Sequence, residues 1–402
     1  MTDEKAKVTL PEYISNIIER IESCGYEGYA VGGCVRDSLL GREPKDWDVT
    51  TSASPDEIKR IFSDRKVIDI GEAHGTETVV EEGNNVEITT YRFDGEYKDA
   101  RHPEKVEFTS DIKEDLARRD FTINAMAYSD KKGLVDVFGG KKDLESGVLR
   151  CVGDAEKRFS EDALRIMRMY RFCSELGFEI EEKSRDGARK SAKLLSKISR
   201  ERISAELFKL LLGKNAAQAL KLMQEDGVLG EILGKITLRE ENLVMLDRAC
   251  YTLNVRLAAL LYGNMQYDEA ESLLRKLKSP SRVLKGTADI LRFADELCCN
   301  EKNGIRRDLR RYGEELTKEL YCFSEAKDEK TGLIAALEAE LEEGNAFSLG
   351  GLAVKGDDLI KAGIAEGCNI GKILNVLLDR IIEEPELNEK GKLLEIAKGV
   401  LS

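Results

Sequence analysis

Along residues 11–23 apolar side chains recur every three or four positions behind Pro11, a pattern that predicts an amphipathic helix. A short apolar run, Tyr29-Ala30-Val31, then meets Gly32-Gly33. That sequence predicts a strand, a tight turn and a helix carrying Arg36. Asp46-Trp47-Asp48-Val49-Thr50-Thr51 predicts a second strand, whose period of two puts both carboxylates on one face at its end. Ser54-Pro55 opens another helix through Ile58, Ile61 and Phe62. Strand patterns follow at 66–70, 76–80 and 85–92, the last two joined by a Gly-Asn turn suited to a hairpin. Residues 93–110 carry no period and are expected to be a loop. A short capped helix is predicted at 111–120, and Leu134–Gly140 resembles a last strand with a turn.

From Ser160 the pattern changes. Helical periods dominate to the end of the chain, at 162–176, 199–212, 216–224, 255–261, 282–297, 332–342 and 370–382. A boundary near residue 150 is expected, separating an α/β head from an extended all-α body. No repeat of fixed period stands out.

Composition narrows the chemistry. The chain has 402 residues, enough for two or three domains. No apolar run approaches the roughly 20 residues of a membrane span, and the N-terminus has no apolar core of a signal peptide. Nine cysteines without any Cys-x-x-Cys pair argue for reduced thiols in a cytoplasmic protein; the adjacent Cys298-Cys299 read as buried helix residues. Only two histidines, His74 and His102, leave chemistry to aspartate, glutamate and arginine. A net charge of -13 means that any nucleic acid must be held by local basic patches.

Two neighbouring carboxylates repel, so Asp46 and Asp48 suit a divalent cation, with Glu87 inside a β-favouring run as a third ligand. The alternative is that all three are solvated strand-end acids. Gly33 lets a backbone approach phosphate and Arg36 can pair with its charge, or the turn is simply tight and the arginine a surface one. Arg118-Arg119-Asp120 ends a helix, where arginine complements the dipole, and Asp120 and Asn124 could bond a ribose hydroxyl. Ser160 is placed to cap a helix in which Asp162 and Arg165, three apart, share a face with Arg168 and Arg171. That stripe is either a solvated, ion-paired face or a reader of nucleotides. Cytosine and adenine each offer an amino donor beside a ring-nitrogen acceptor, the pattern that one carboxylate and one guanidinium match; guanine and uracil offer the reverse order.

In these motifs the chain resembles the bacterial and eukaryotic-type (class II) tRNA nucleotidyltransferases, the CCA-adding enzymes, and the related poly(A) polymerases. The resemblance rests on Val31–Asp37, Asp46–Asp48, Val86–Arg92, Arg118–Ala125, Glu161–Arg165 with Arg168 and Arg171, and Ile198–Ile203. More weakly it extends to Leu352–Ile360 with Gly363, Gly367 and Gly371. It implies a polymerase-beta-like mixed-sheet head over 1–150, a helical nucleotide-selecting neck over 151–215, and a body and tail over 216–402 that bind tRNA. Asp46 and Asp48 would hold two Mg2+ ions, with Glu87 completing the catalytic carboxylates. One ion would activate the tRNA 3′-hydroxyl and the other would stabilise pyrophosphate. Gly33 and Arg36 would take the triphosphate, Arg119 and Asp120 its phosphate or ribose. Asp162 and Arg165 would read the base, supported by Arg168 and Arg171.

The implied reaction is template-independent addition of C, C and A from CTP and ATP to the tRNA 3′ end, held by acceptor stem and elbow. Arg101-His102-Pro103 resembles the segment that the family needs to switch from C to A. Alternatives are an enzyme adding only A, a poly(A) polymerase, a small-molecule nucleotidyltransferase, or a catalytically silent RNA-binding protein. Arg306-Arg307-Asp308-Leu309-Arg310-Arg311 is a candidate phosphate-binding patch on the body, or a solvated helix paired to Glu314 and Glu315. No protein partner is predicted.

Overall fold

The computed structural model describes residues 8–71, 75–94, 106–234, 236–250, 252–299, 301, 303–328 and 332–400. It divides into two compact units, Met1–Lys235 and Ile236–Ser402. Compactness thus places the division some twenty residues after the start of the body expected from the sequence.

In the first unit, β1 (Gly28–Val31), β2 (Asp48–Thr51), β3 (Val67–Gly71), β4 (Thr76–Glu81) and β5 (Asn84–Thr90) are followed by a short ribbon, β6 (Arg92–Asp94) and β7 (Val106–Phe108). Next come β8 (Met126–Ser129) and β9 (Gly133–Asp136). Seven of these form one mixed sheet in the order β3-β4-β5-β2-β1-β8-β9. The β2–β5 pair is parallel and the others are antiparallel. Glu82 (φ 50°) and Gly83 (φ 81°) make the two-residue turn of the β4–β5 hairpin, the conformation that suits right-twisted strands. The stretch read as a loop at 93–110 begins and ends as the β6–β7 pair; Arg101-His102-Pro103 lie outside the described residues.

Helices α1 (Glu12–Ser23), α2 (Gly33–Leu39) and α3 (Pro55–Ile61) alternate with the first strands, and α4 (Ile112–Ala117) and α5 (Gly140–Ser146) with the last. Ile14, Ile17, Ile18 and Ile21 all turn inward on α1, as the spacing predicts. Leu116 and Ile112 of α4 join Tyr29, Val31, Tyr91, Ala125 and Ala127 in a core beneath the sheet. The first unit continues through α6 (Ala155–Glu161), α7 (Leu164–Leu176), α8 (Glu182–Ser191), α9 (Arg200–Leu211), α10 (Ala216–Glu225) and α11 (Val228–Leu233).

One expected element is corrected. Ser160 does not cap a helix running through Arg171; its hydroxyl donates back to the Lys157 carbonyl. The chain breaks at Asp162 (φ -140°, ψ 103°), between α6 and α7. The apolar period carries across the break, which is why it does not show in the pattern.

The second unit is helical among its described residues: α12 (Glu240–Arg248), α13 (Leu253–Leu261), α14 (Tyr267–Lys276), α15 (Ser281–Phe293), α16 (Gly304–Asp328, broken at Gly313), α17 (Leu333–Glu342), α18 (Gly356–Lys361), α19 (Cys368–Glu383) and α20 (Lys390–Val400). Val354, Leu359, Ile373, Leu377, Leu378, Leu393 and Ala397 form the core of its C-terminal part. Cys298 and Cys299, expected to be buried in a helix, lie half-buried in the connection after α15.

The basic run at 306–311 is neither a free patch nor paired to Glu314 and Glu315. Arg306 pairs with Glu340, Arg307 with Glu301 and Glu383, Arg310 with Asp379, and Arg311 with Glu296. These partners lie on other segments of the unit, so the four arginines tie its helices together.

Candidate active site

The carboxylates come from the two strands of the parallel pair. Asp48 and Glu87 are register partners across β2 and β5, and Asp46 lies two residues before β2 begins. Asp46 and Asp48 are exposed while Trp47 between them is buried, so the expected sharing of one face holds although Asp46 is not in the strand. Partial burial raises the Asp48 carboxyl above its ordinary value; the Glu87 and Asp46 charges raise it further, and Arg119 opposes them.

Arg119 is held by a carboxylate that the motif reading passed over. Asp115 on α4 is fully buried and accepts from Arg118 Nε (2.9 Å), Arg118 Nη2 (2.7 Å), Arg119 Nη2 (3.3 Å) and the Thr50 hydroxyl of β2 (3.3 Å). Burial works against the charged form, but Arg119 and Arg118 outweigh it and hold Asp115 below the usual carboxylate range. The glycine that the geometry demands is Gly32 rather than Gly33. Its φ is +82°, and a Cβ there would lie 2.9 Å from Arg119 Nη1. A Cβ on Gly33 would meet only Arg36 Nη2, at 3.7 Å.

Beside this group a chain of hydrogen bonds joins three motifs. Arg36 donates Nε and Nη2 to the Asp37 carboxylate and Nη1 to Asn124 Oδ1 at 2.7 Å. Asn124 donates Nδ2 to Asp120 Oδ1 (3.2 Å), and Arg168 donates Nε to Asp120 Oδ2 (2.7 Å). Burial raises Asp120, but Arg168 prevails and keeps it below the usual range. Arg36, Arg168 and Arg171 also meet at one ring: their guanidinium carbons lie 5.1, 5.5 and 4.1 Å from the Phe172 centroid. Arg171 further pairs with Glu206.

Asp162 and Arg165 are not an ion pair. Asp162 accepts from the Leu164 amide (3.0 Å) and from Arg202 Nη2 (3.2 Å). Arg165 donates to the Arg158 and Arg118 carbonyls and to Glu161 (3.0, 2.9 and 2.8 Å). Each is fixed by a different partner, so a ligand meeting both would find them already oriented. Arg202, Phe172 and Asp115 are missed by sequence reasoning because each also reaches a partner in a distant segment: Asp162, Arg36 and Thr50 respectively.

Comparison with known proteins accounts for this arrangement. Residues 28–150 match the poly A polymerase head domain, 177–237 a probable RNA and SrmB-binding site of polymerase A, and 254–397 a putative tRNA nucleotidyltransferase domain 2. A CCA-adding enzyme of Ligilactobacillus salivarius is 36% identical over 398 residues, covering 96% of this chain and 95% of that protein. The chain belongs to the CCA-adding enzymes. Another member, from Geobacillus kaustophilus, is 36% identical over 95% of both chains. The Bacillus stearothermophilus CCA-adding enzyme, solved in complex with CTP, superposes with a TM-score of 0.82 at 32% identity, over 98% of both chains. The Thermotoga maritima CCA-adding enzyme, solved with tRNA, shares the fold at 22% identity and a TM-score of 0.74, over 98% of this chain and 97% of that one. Membership makes the chain a tRNA nucleotidyltransferase whose reaction is CCA addition at the tRNA 3′ end.

Nucleotidyltransferases of this kind use divalent metal ions. Among the described residues no three His, Cys, Asp or Glu side chains are gathered as a ready-made cage. That does not conflict with the carboxylates present. A small hard cation that keeps its waters takes one or two carboxylates and lets substrate phosphates supply the remaining oxygens. Asp46 and Asp48, with Asp48 raised by burial and then by its acidic neighbours, fit that requirement. No described helix is long and apolar enough to cross a membrane.

Proposed function

We propose that, in extending tRNA with C, C and A from CTP and ATP, the protein uses Asp46 and Asp48 to hold Mg2+ with Glu87 as third carboxylate, and that it works in the cytoplasm. The observation that carries the reading is the run of contacts Arg36–Asn124–Asp120–Arg168, which links the strand–turn–helix motif to α7 beside the Asp48–Glu87 pair. When bound, the metal supplies charge neutralisation on the triphosphate and a lowered pKa for the attacking 3′-hydroxyl.

The protein's own groups supply position. Gly33 leaves room for the triphosphate and Arg36, fixed by Asp37 and Asn124, pairs with its charge. Arg119 and Asp120 receive the phosphate or ribose. Asp162 accepts the exocyclic amino group of C or A, and Arg165 donates to the ring nitrogen beside it. Arg168 and Arg171, stacked at Phe172, support that helix. Residues 151–215 act as the nucleotide-selecting neck, and residues 216–402 engage the tRNA acceptor stem and elbow. The match over 254–397 to a tRNA nucleotidyltransferase domain supports the role given to the body, and the RNA-binding match over 177–237 spans neck and body alike.

The test uses tRNAs lacking CCA, CA or A, each incubated with single nucleoside triphosphates and sequenced at the 3′ end. Extension of all three to CCA is expected. Extension only of the tRNA that lacks A would reduce the protein to an A-adding enzyme.

A further inference from the structure

The second unit contains a cavity of about 430 Å³ lined by two thiols. Cys250 lies in the connection between α12 and α13; Cys322 lies on α16, past the break at Gly313. Both are half-buried in the wall of this one cavity, and Cys250 Sγ lies 3.4 Å from the Thr252 hydroxyl. Leu253 and Val283 contribute apolar lining, and Glu319, Lys318 and the paired Arg282 and Glu315 its charged rim. The Cys250 main chain is pinned from below: buried Arg256 donates to the Cys250 and Ala249 carbonyls, both at 3.4 Å.

We propose that Cys250 and Cys322 are a peroxide-reactive thiol pair that closes to an intramolecular disulfide. Cys250 is the attacking sulfur. Its neighbours Cys322 and Thr252 hold the Cys250 thiol below the ordinary cysteine value against the effect of burial, which favours the thiolate there. Buried Cys34, Cys151 and Cys173 are pushed up instead, to about 11, 12 and 11, and stay unreactive thiols. The thiolate attacks one oxygen of hydrogen peroxide, the O–O bond breaks, and Cys250 becomes a sulfenic acid as hydroxide leaves and is protonated to water. Cys322 sulfur then attacks the sulfenic sulfur; the S–O bond breaks and its oxygen leaves as a second water, carrying the Cys322 proton. Two thiols are oxidised by two electrons in total, and one peroxide is reduced to two waters.

The test treats the reduced full-length protein with hydrogen peroxide near neutral pH, then maps non-reduced peptides by mass spectrometry. The expected product joins the Cys250 and Cys322 peptides, has lost two hydrogens, and is reversed by dithiothreitol. In Cys322→Ser the crosslink is absent and Cys250 is trapped by dimedone as the sulfenic acid. Oxidation of exposed Cys24 or Cys368 while Cys250 and Cys322 stay free would overturn the proposal. So would a wild-type crosslink of Cys250 to any other cysteine.

Discussion

Arg168 on α7 donates its Nε to Asp120, forty-eight residues earlier in the chain, at 2.7 Å. Asp120 is 7% exposed, and its other oxygen takes the Phe121 amide and Asn124. Removing the charge strands Arg168 beside a neutral acceptor. Because Arg168 keeps 35% of its side-chain surface in solvent, Asp120→Asn is expected to cost about 3 kcal/mol, the low end for a broken buried pair. The depressed carboxyl gives stability that is present above its ordinary value of 3.8 and lost as pH falls through the lower folded value. Urea unfolding from pH 6 downward should therefore show a steeper acid loss for the wild type than for the variant. Parallel curves would show that the pair is not an anchor.

The Asp48–Glu87 relationship has the opposite sign. Asp48 is raised in the folded state, so folding favours its protonated form, and the ionised group works against stability above about its ordinary value of 3.8. Asp48→Asn should raise Tm slightly at neutral pH, with the gain vanishing as pH falls below that window. It should also lower the rate of nucleotide addition by about a thousandfold, several kcal/mol of lost charge stabilisation, while leaving tRNA affinity intact. A thermal shift on adding Mg2+ should accompany the wild type only. An equal shift in the variant would place the ion elsewhere.

These two pairs show what a single sequence can and cannot convey. Asp46 and Asp48 on one face follow from the strand period alone, and α1 follows from its isoleucine spacing. That Glu87 stands opposite Asp48 depends on a parallel pairing between strands separated by a whole hairpin, and no local pattern encodes it. The break at Asp162 is hidden because apolar residues continue in phase across it. Gly32 and Gly33 look equivalent until the positive φ and the Arg119 contact separate them. Long-range electrostatics was the least legible: the partners of Arg306, Arg307 and Arg310 include residues some seventy positions downstream on α19.

Base choice is expected to depend on Asp162. Its carboxylate already faces two donors, the Leu164 amide and Arg202, so an incoming amino group replaces Arg202 rather than water. Asp162→Ala removes the acceptor that C and A share, and about 1–3 kcal/mol of discrimination per base with it. Single-nucleotide kinetics should show kcat/KM for CTP and ATP falling by roughly five- to a hundredfold, while UTP and GTP change little. Unaltered selectivity would remove Asp162 from base reading.

The arginines at 306–311 lead to a prediction about what does not bind RNA. A side chain that neutralises a phosphate contributes to the salt dependence of binding, and its loss lowers that slope by about one. Arg310 already faces Asp379 and Asn375, and Arg306 faces Glu340 and the Ile382 carbonyl. Arg310→Ala should therefore leave the salt slope of tRNA binding unchanged and cost less than about 1 kcal/mol, as expected of an exposed pair. Arg306→Ala should cost more, about 1–3 kcal/mol, because Glu340 (15% exposed) loses its guanidinium partner and is left with the neutral Asn345 amide. Tm measurements on the two variants beside tRNA titrations across a salt series check both statements. A slope lowered by one in Arg310→Ala, with stability unchanged, would return this run to the tRNA-binding surface.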